Sequence, residues 1–328
     1  DFGNKQKTNR TYTEIILGLP NDTKERHFKS LRLGVEKSVN NLRMHQAMLL
    51  TGTEMASKRD REKYGLVTKF RTLPGNVGNY NILNEEHPVA EIEEIVVGSN
   101  TLSMNDYVEC RIMNLIIKTF YNNNIFNEIH SMQRAMGISP FDCLVYIKDH
   151  EEMYTEKVKK IIESFVTETT EDLFDTREKA NEYVLSSNVI NKYINGELGT
   201  NELFLHSSLL FNEFKDISDL IFESVKRVIK QKGLLTPLIE NYLTDLKRFT
   251  LMRKNIPLNN TESVLLGEFE YDFESIHKSE YFLNPNSISK LKTSIHLKFF
   301  HTNKQQEHIT NQQNLYSNHA LGLGRMLQ

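Results

Sequence analysis

The sequence predicts an α/β amino-terminal segment followed by a mainly helical region that carries one short β pair. Three patterns lead there. Residues 12–23 read as a strand that stops and turns into a helix, residues 103–253 place apolar side chains at helical spacing, and residues 265–273 alternate with period two.

In the first pattern, Ile15-Ile16-Leu17 is the apolar run of a buried strand over 12–17. Gly18 lets the backbone pass close to a neighbour, and Pro20 stops the ladder. Asn21, Asp22 and Thr23 offer helix-capping oxygens. A helix over about 23–38 follows, with Phe28, Leu31, Val35 and Val39 on one face. A second strand is expected at 41–47, then loop to about residue 84. Residues 72–88, with two Pro, two Gly and several Asn, read as a connector, and the glycines at 75 and 78 as a surface turn. The stretch 87–97 reads as a strand or short element bounded by Gly98. A strand opening through Gly and Pro into a helix is where α/β proteins place ligands, although an ordinary βα turn has the same shape.

Beyond Ser103, which with Asp106 has capping chemistry, helices are expected at 124–136, 139–149, 151–168, 172–186, 206–231 and 237–253. Gly137 and Gly233 read as stops, and Ser139-Pro140 and Thr236-Pro237 as starts. Near the end, Phe269, Tyr271 and Phe273 fall on one face of a strand, with 294–300 as its partner. The tail from Asn303 is rich in Gln and Asn. No internal repeat of fixed period occurs, so the expected division is 1–100 and 101–328, the latter with its β pair near 265–300.

Composition narrows the function classes. The 328 residues allow about two domains, with 39% hydrophobic content for a core. Forty basic and 43 acidic residues nearly cancel, which disfavours nucleic acid and anionic membranes as partners. No uncharged apolar stretch is long enough to span a bilayer, and no signal peptide is recognisable at residue 1. Two cysteines make no disulfide framework, so a cytoplasmic location is expected.

The first quarter of the chain also resembles the radical S-adenosylmethionine (SAM) enzymes, whose fifth barrel strand carries Gly-x-Ile-x-Gly-x-x-Glu. Ile16 and Gly18 match its Ile and second Gly, Glu14 stands in place of the first Gly, and Asn21 followed by Asp22 replaces the closing acid. Asn41-Leu42-Arg43-Met44-His45-Gln46 is similar to the next strand. Met48-Leu49-Leu50-Thr51-Gly52-Thr53-Glu54 resembles the Leu-Pro-Gly-Thr-Glu loop of the subgroup with an upstream cobalamin-binding domain, Thr51 replacing Pro. Lys63-Tyr64-Gly65-Leu66 and Phe70-Arg71-Thr72-Leu73-Pro74 continue the likeness.

The resemblance implies late βα units of a TIM-like barrel, capped by a helical domain. It implies SAM as cofactor, with Glu14, Ile16, Gly18, Arg43, His45 and Gln46 as its binding residues. It also implies a 4Fe–4S cluster and, through the upstream domain, cobalamin. The family's Cys-x-x-x-Cys-x-x-Cys loop is missing: Cys110 and Cys143 stand far apart and read as buried small hydrophobes. The cluster ligands are therefore expected upstream, with this chain a carboxyl-terminal part that partners the missing amino-terminal region. The substrate, a small molecule or glycan-type compound, is not specified.

Other residues have blander readings. Arg43 at a strand end is also a common surface ion pair. His27, His130, His150 and His206 lie in expected helices without i, i+4 partners, and His296 and His301 read as exposed strand residues. Glu151, Glu152, Glu163, Glu168, Glu171 and Asp172 read as a solvated helix face. The rival from another class is a non-enzymatic helical interaction module with a vestigial barrel remnant.

Overall fold

Strand β1 (Tyr12–Leu17) ends in a corner that the backbone could not turn with an ordinary residue. Gly18 adopts φ +91°, and Asn21 is left-handed at +61°. Asp22 ties the corner: its Oδ2 accepts the Gly18 N–H at 3.1 Å and its Oδ1 the Thr23 N–H at 3.0 Å. Thr23 then accepts the Arg26 N–H through Oγ1 at 3.2 Å, the bond of a helix cap. This is a computed structural model of the chain, and it describes residues 11–254 and 263–315.

In chain order, β1 is followed by α1 (Lys24–Glu36), β2 (Asn41–Gln46), α2 (Lys58–Tyr64), β3 (Val67–Ile82) and β4 (Glu85–Gly98). The helices α3 (Met104–Phe120), α4 (Asn127–Ala135), α5 (Pro140–Asp149), α6 (Glu156–Thr170), α7 (Arg177–Leu185) and α8 (Ser187–Ile194) come next. The remainder is α9 (Glu202–Asn212), α10 (Phe214–Gln231), α11 (Pro237–Arg253), β5 (Leu265–Phe269), α12 (Phe273–Lys278), β6 (Ile295–Phe299) and α13 (Asn303–Leu315). The result is a mixed α and β fold, dominated by helix. Its described strands form three separate two-stranded sheets, β1–β2, β3–β4 and β5–β6, and close no barrel.

Contacts divide the chain into two compact units. Within the described residues, the first contains 11–34, 42–115 and 162–206, and the second 35–41, 116–161, 207–254 and 263–315. The break in pattern at residue 100 is thus not the spatial division, because 162–206 joins the first unit.

The first unit is organised around the end of β1. The Ala47 N–H donates to the Leu17 carbonyl at 2.8 Å, bringing the carboxyl ends of β1 and β2 together as a parallel pair requires. The chain beyond β2 then runs antiparallel to β4, through Leu49 N–H to Glu94 O and Val96 N–H to Ala47 O, both 2.9 Å. Leu17 of β1, Ile95 and Val97 of β4, and Tyr107 and Cys110 of α3 form one buried cluster, with Phe28 of α1 packed against it. Ser103 caps α3 by accepting the Asp106 N–H at 3.1 Å.

Three sequence expectations in this unit are corrected. The loop expected through residue 84 contains α2, capped by Ser57 and ended by Gly65 at φ +57°. The connector expected over 72–88 is the body of a long antiparallel hairpin. Its turn falls at Leu83 and Asn84, both with positive φ, the geometry that suits the right-handed twist of the strands. Pro74 and Gly75 lie where the register slips between Thr72 and Val77, so they interrupt the ladder without ending it.

In the second unit, α10 packs on α5 and α11, and α11 on β5. Thr236 caps α11 by accepting the Ile239 N–H at 3.3 Å, as its place before Pro237 leads one to expect. The helix expected over 206–231 is broken at Glu213, whose φ −97° and ψ +42° separate α9 from α10. The expected strand over 265–273 ends at Phe269, and Asp272 accepts the Ser275 N–H to start α12. Tyr271 and Phe273 still reach the core by way of the turn. Phe249 of α11 stacks on Phe273 with centroids 4.7 Å apart, and Tyr242 meets Tyr271 edge-on at 5.1 Å. β6 pairs antiparallel with β5, as expected of 294–300.

Glu128 of α4 is fully buried in this unit and accepts Arg253 Nη1 at 2.5 Å and Lys254 Nζ at 2.7 Å. Burial holds the Lys254 ammonium below the ordinary lysine value, with Glu128 opposing that shift. Replacing Glu128 by Gln leaves two cations unmatched, at a cost near the lower end of ~3–5 kcal/mol because Arg253 is partly exposed. Urea unfolding should show that loss; unchanged stability would mean the triad is not formed.

Candidate functional site

Alternation along β1 leaves Tyr12, Glu14 and Ile16 exposed and buries Leu17. On β2 it leaves Arg43 and His45 exposed and buries Leu42 and Met44. The exposed sets share a face, since Arg43 Nη1 lies 3.6 Å from Glu14 Oε1 and its guanidinium 4.2 Å from the centre of the Tyr12 ring. Four of the six residues assigned by the resemblance, Glu14, Ile16, Arg43 and His45, therefore stand on one open sheet face. Both partners of the Arg43–Glu14 pair are about half exposed, so it adds little to stability.

The other two residues point elsewhere. Gly18 is buried, and a Cβ there would lie 3.3 Å from Val96 O and 3.5 Å from Val96 Cβ. The close approach that requires glycine is made by the chain's own β4. Gln46 is half-buried, and its Nε2 donates to the hydroxyl of buried Tyr107. Gly18→Ala should accordingly destabilise the fold by ~1–3 kcal/mol, from the strained φ and the crowded Val96 carbonyl. A thermal midpoint equal to that of the parent would refute this placement.

A second site, a partly open pocket, lies wholly within the first unit. It is a pocket of about 370 Å³ whose wall includes Arg71, Glu168, Glu171, Asp172, Tyr193 and Glu202. Arg71 of β3 donates to its cross-strand partner Glu93 through Nε and to Glu202 of α9 through Nη1. Behind it Arg111 of α3 is only 2% exposed, with Nη2 3.8 Å from Glu202 Oε2 and its guanidinium 5.3 Å from the Phe165 ring. Burial pushes the Arg111 guanidinium down to about 10, which leaves it charged at neutral pH.

His206 joins this cluster from α9. Its Nδ1 lies 3.0 Å from the Glu202 carbonyl oxygen and 3.4 Å from Glu168 Oε2, and its Nε2 3.4 Å from Ser164 Oγ. A neutral ring with hydrogen on Nδ1 fits the carbonyl contact and leaves Nε2 to accept from the Ser164 hydroxyl. Burial, and then the Arg111 charge, push the imidazole down to about 4. Burial, and then Asp172, raise the Glu168 carboxyl above its ordinary range. Glu168 is thus not part of a solvated face, which corrects the sequence expectation for that residue.

Arg111 and Glu202 were not singled out by sequence motifs, and Arg71 entered only as part of the stretch Phe70-Arg71-Thr72-Leu73-Pro74, with no site role. The available signal was an arginine at position 111 inside the apolar run Tyr107–Phe120, where a charge has to find a partner. The two cysteines fulfil their expected reading. Both are fully buried, Cys143 accepts the Gln133 side-chain N–H at 2.7 Å, and burial pushes the Cys110 thiol up to about 12 and the Cys143 thiol up as well. No group of three or more His, Cys, Asp or Glu side chains able to hold a metal occurs among the described residues. No helix among them is long and apolar enough to cross a membrane. No protein-family model matches this chain, and no curated protein matches it.

The His206 shift has a sign that solution measurements can read. A histidine whose folded value lies below the ordinary 6.5 stabilises the fold fully above about pH 6.5, and that contribution is lost as the pH falls toward 4. Ring-proton NMR should place the His206 midpoint near 4, and His206→Asn should flatten part of the acid loss of stability. A midpoint at 6.5 or above would contradict the buried geometry.

Proposed function

We propose that this chain is the carboxyl-terminal portion of a radical SAM enzyme of the subgroup with an upstream cobalamin-binding domain. The observation that carries the reading is the open face of β1 and β2. There Glu14, Ile16, Arg43 and His45 stand together beside a strand–helix–strand unit whose two strands end side by side. Those are residues to which the family resemblance assigns contact with SAM.

Ile16 is 44% exposed and offers apolar surface to an adenine ring, while Glu14 and Arg43 offer one accessible charge of each sign. Arg43 is steadied over the Tyr12 ring, so its guanidinium is held where it can meet the carboxylate of a bound amino acid. These residues fit SAM. Cys110 and Cys143 do not fit a 4Fe–4S cluster, because burial keeps both thiols protonated and each lies inside a core. In this reading the cluster thiolates and cobalamin belong to the upstream portion. When bound, SAM would supply a deoxyadenosyl group on reduction at the cluster or, unreduced, a methyl group to cobalamin. The residues here bind and orient it toward a small-molecule or glycan-type substrate.

Anaerobic reconstitution of the complete protein with iron and sulfide should give the cluster's visible absorption, and deoxyadenosine after reduction. Ile16→Lys, a change at an exposed position, should weaken SAM binding by about tenfold while leaving the cluster spectrum intact. Absence of a cluster in the complete protein, or SAM binding untouched by that variant, would overturn the proposal.

A further inference from the structure

The outer half of the β3–β4 hairpin forms an uncovered arm. Every residue from Asn79 to Val89 is exposed, and Tyr80, Ile82 and Val89 among them are large apolar side chains. The register sets Tyr80 opposite His87, Ile82 opposite Glu85 and Gly78 opposite Val89, so these side chains share one face of the ladder. Glu91, two residues beyond Val89, falls on the same face. A two-stranded ribbon whose apolar face is open to water is marginal by itself, which marks that face for a partner.

The charge of the arm restricts what the partner can be. No lysine or arginine occurs between Arg71 and Arg111. Glu86 and Glu91 accept from the Asn79 and Asn76 amides at 2.9 Å, and Glu85 lies 3.9 Å from His87. Two such arms laid together would set acid against acid. The complementary surface lies in the same unit, on α1. From Lys24 to Leu33 that helix carries four cations against one acid. Arg26, Lys29 and Leu33, at helical spacing, form one exposed stripe, and neither cation pairs with a carboxylate among the described residues. Stripe and arm match in kind, each with apolar surface beside charge of the opposite sign.

We propose that the arm of one copy docks on α1 of a second copy. Tyr80, Ile82 and Val89 cover Leu33, while Glu85 and Glu91 meet Arg26 and Lys29. A two-fold axis makes the exchange reciprocal, so the dimer closes through two equivalent contacts. The assignment goes beyond the radical SAM reading, and its assay needs neither cluster nor cofactor.

The test is sedimentation of the complete protein over a range of concentrations, which should show a reversible dimer that weakens as salt is added. Glu85→Lys/Glu91→Lys and Arg26→Glu/Lys29→Glu each change two exposed residues and should keep the parent's thermal midpoint. Each double variant alone should dimerise at least about tenfold more weakly than the parent. Mixed in equal amounts, the two should recover the dimer, because a lysine arm then meets a glutamate helix and the unchanged arm meets the unchanged helix. Tyr80→Ser/Ile82→Ser should weaken the parent dimer as well. A parent that stays monomeric, whatever else its arm binds, a dimer indifferent to either charge variant, or a mixture no more associated than its separate components would each overturn the proposal.

Discussion

The first unit depends on the contact between Gly18 and Val96. With a Cβ at residue 18 the end of β1 could not lie 3.3 Å from the Val96 carbonyl, and φ +91° would be strained for any L side chain. With glycine there, Leu17 reaches Ile95, Val97 and Tyr107, and the chain after β2 threads beside β4. The same corner fixes which face of β1 stays open. Leu17 turns inward, so by strict alternation Tyr12, Glu14 and Ile16 turn outward together. A constraint of packing thereby selects the residues available for binding, and the glycine itself is spent on the fold.

Buried charge is handled alike in each unit taken by itself. In the first, Arg71 bridges Glu93 and Glu202 while Arg111 lies behind. In the second, Glu128 takes both Arg253 and Lys254. Such clusters cost desolvation energy that their attraction roughly repays, so their value lies in fixing one arrangement of the helices and strands they join. At Glu128 each carboxylate oxygen takes one cation, and the cluster is a structural pin. The first unit's pocket differs because carboxylates on its wall exceed the cations.

Features governed by neighbours a few residues away were legible in the sequence. The Gly18 corner, the Thr23 and Thr236 caps, the Ser103 cap and the paired strands near residues 265 and 295 all follow from local chemistry. The long hairpin was hidden because Leu83 and Asn84 adopt positive φ without a glycine, and because Pro74 and Gly75 sit at a register slip that resembles a break. Phe269, Tyr271 and Phe273 were expected on one face of a strand; all three are buried, but the strand ends at Phe269 and the other two reach the core by a turn and a helix cap, which alternation alone does not reveal. Of the six assigned site residues, four share a face because period two is local. Gly18 and Gln46 depart from it because their partners, Val96 and Tyr107, are distant in sequence.

In the proposed function the open face of β1 and β2 receives SAM. Hydrogen–deuterium exchange on the complete, cluster-loaded protein, with and without SAM, reads that face directly. The account predicts slower exchange over residues 12–17 and 41–46 when SAM is present, with the second unit unchanged. Protection confined to other segments, with these two strands exchanging at the same rate in both states, would contradict it.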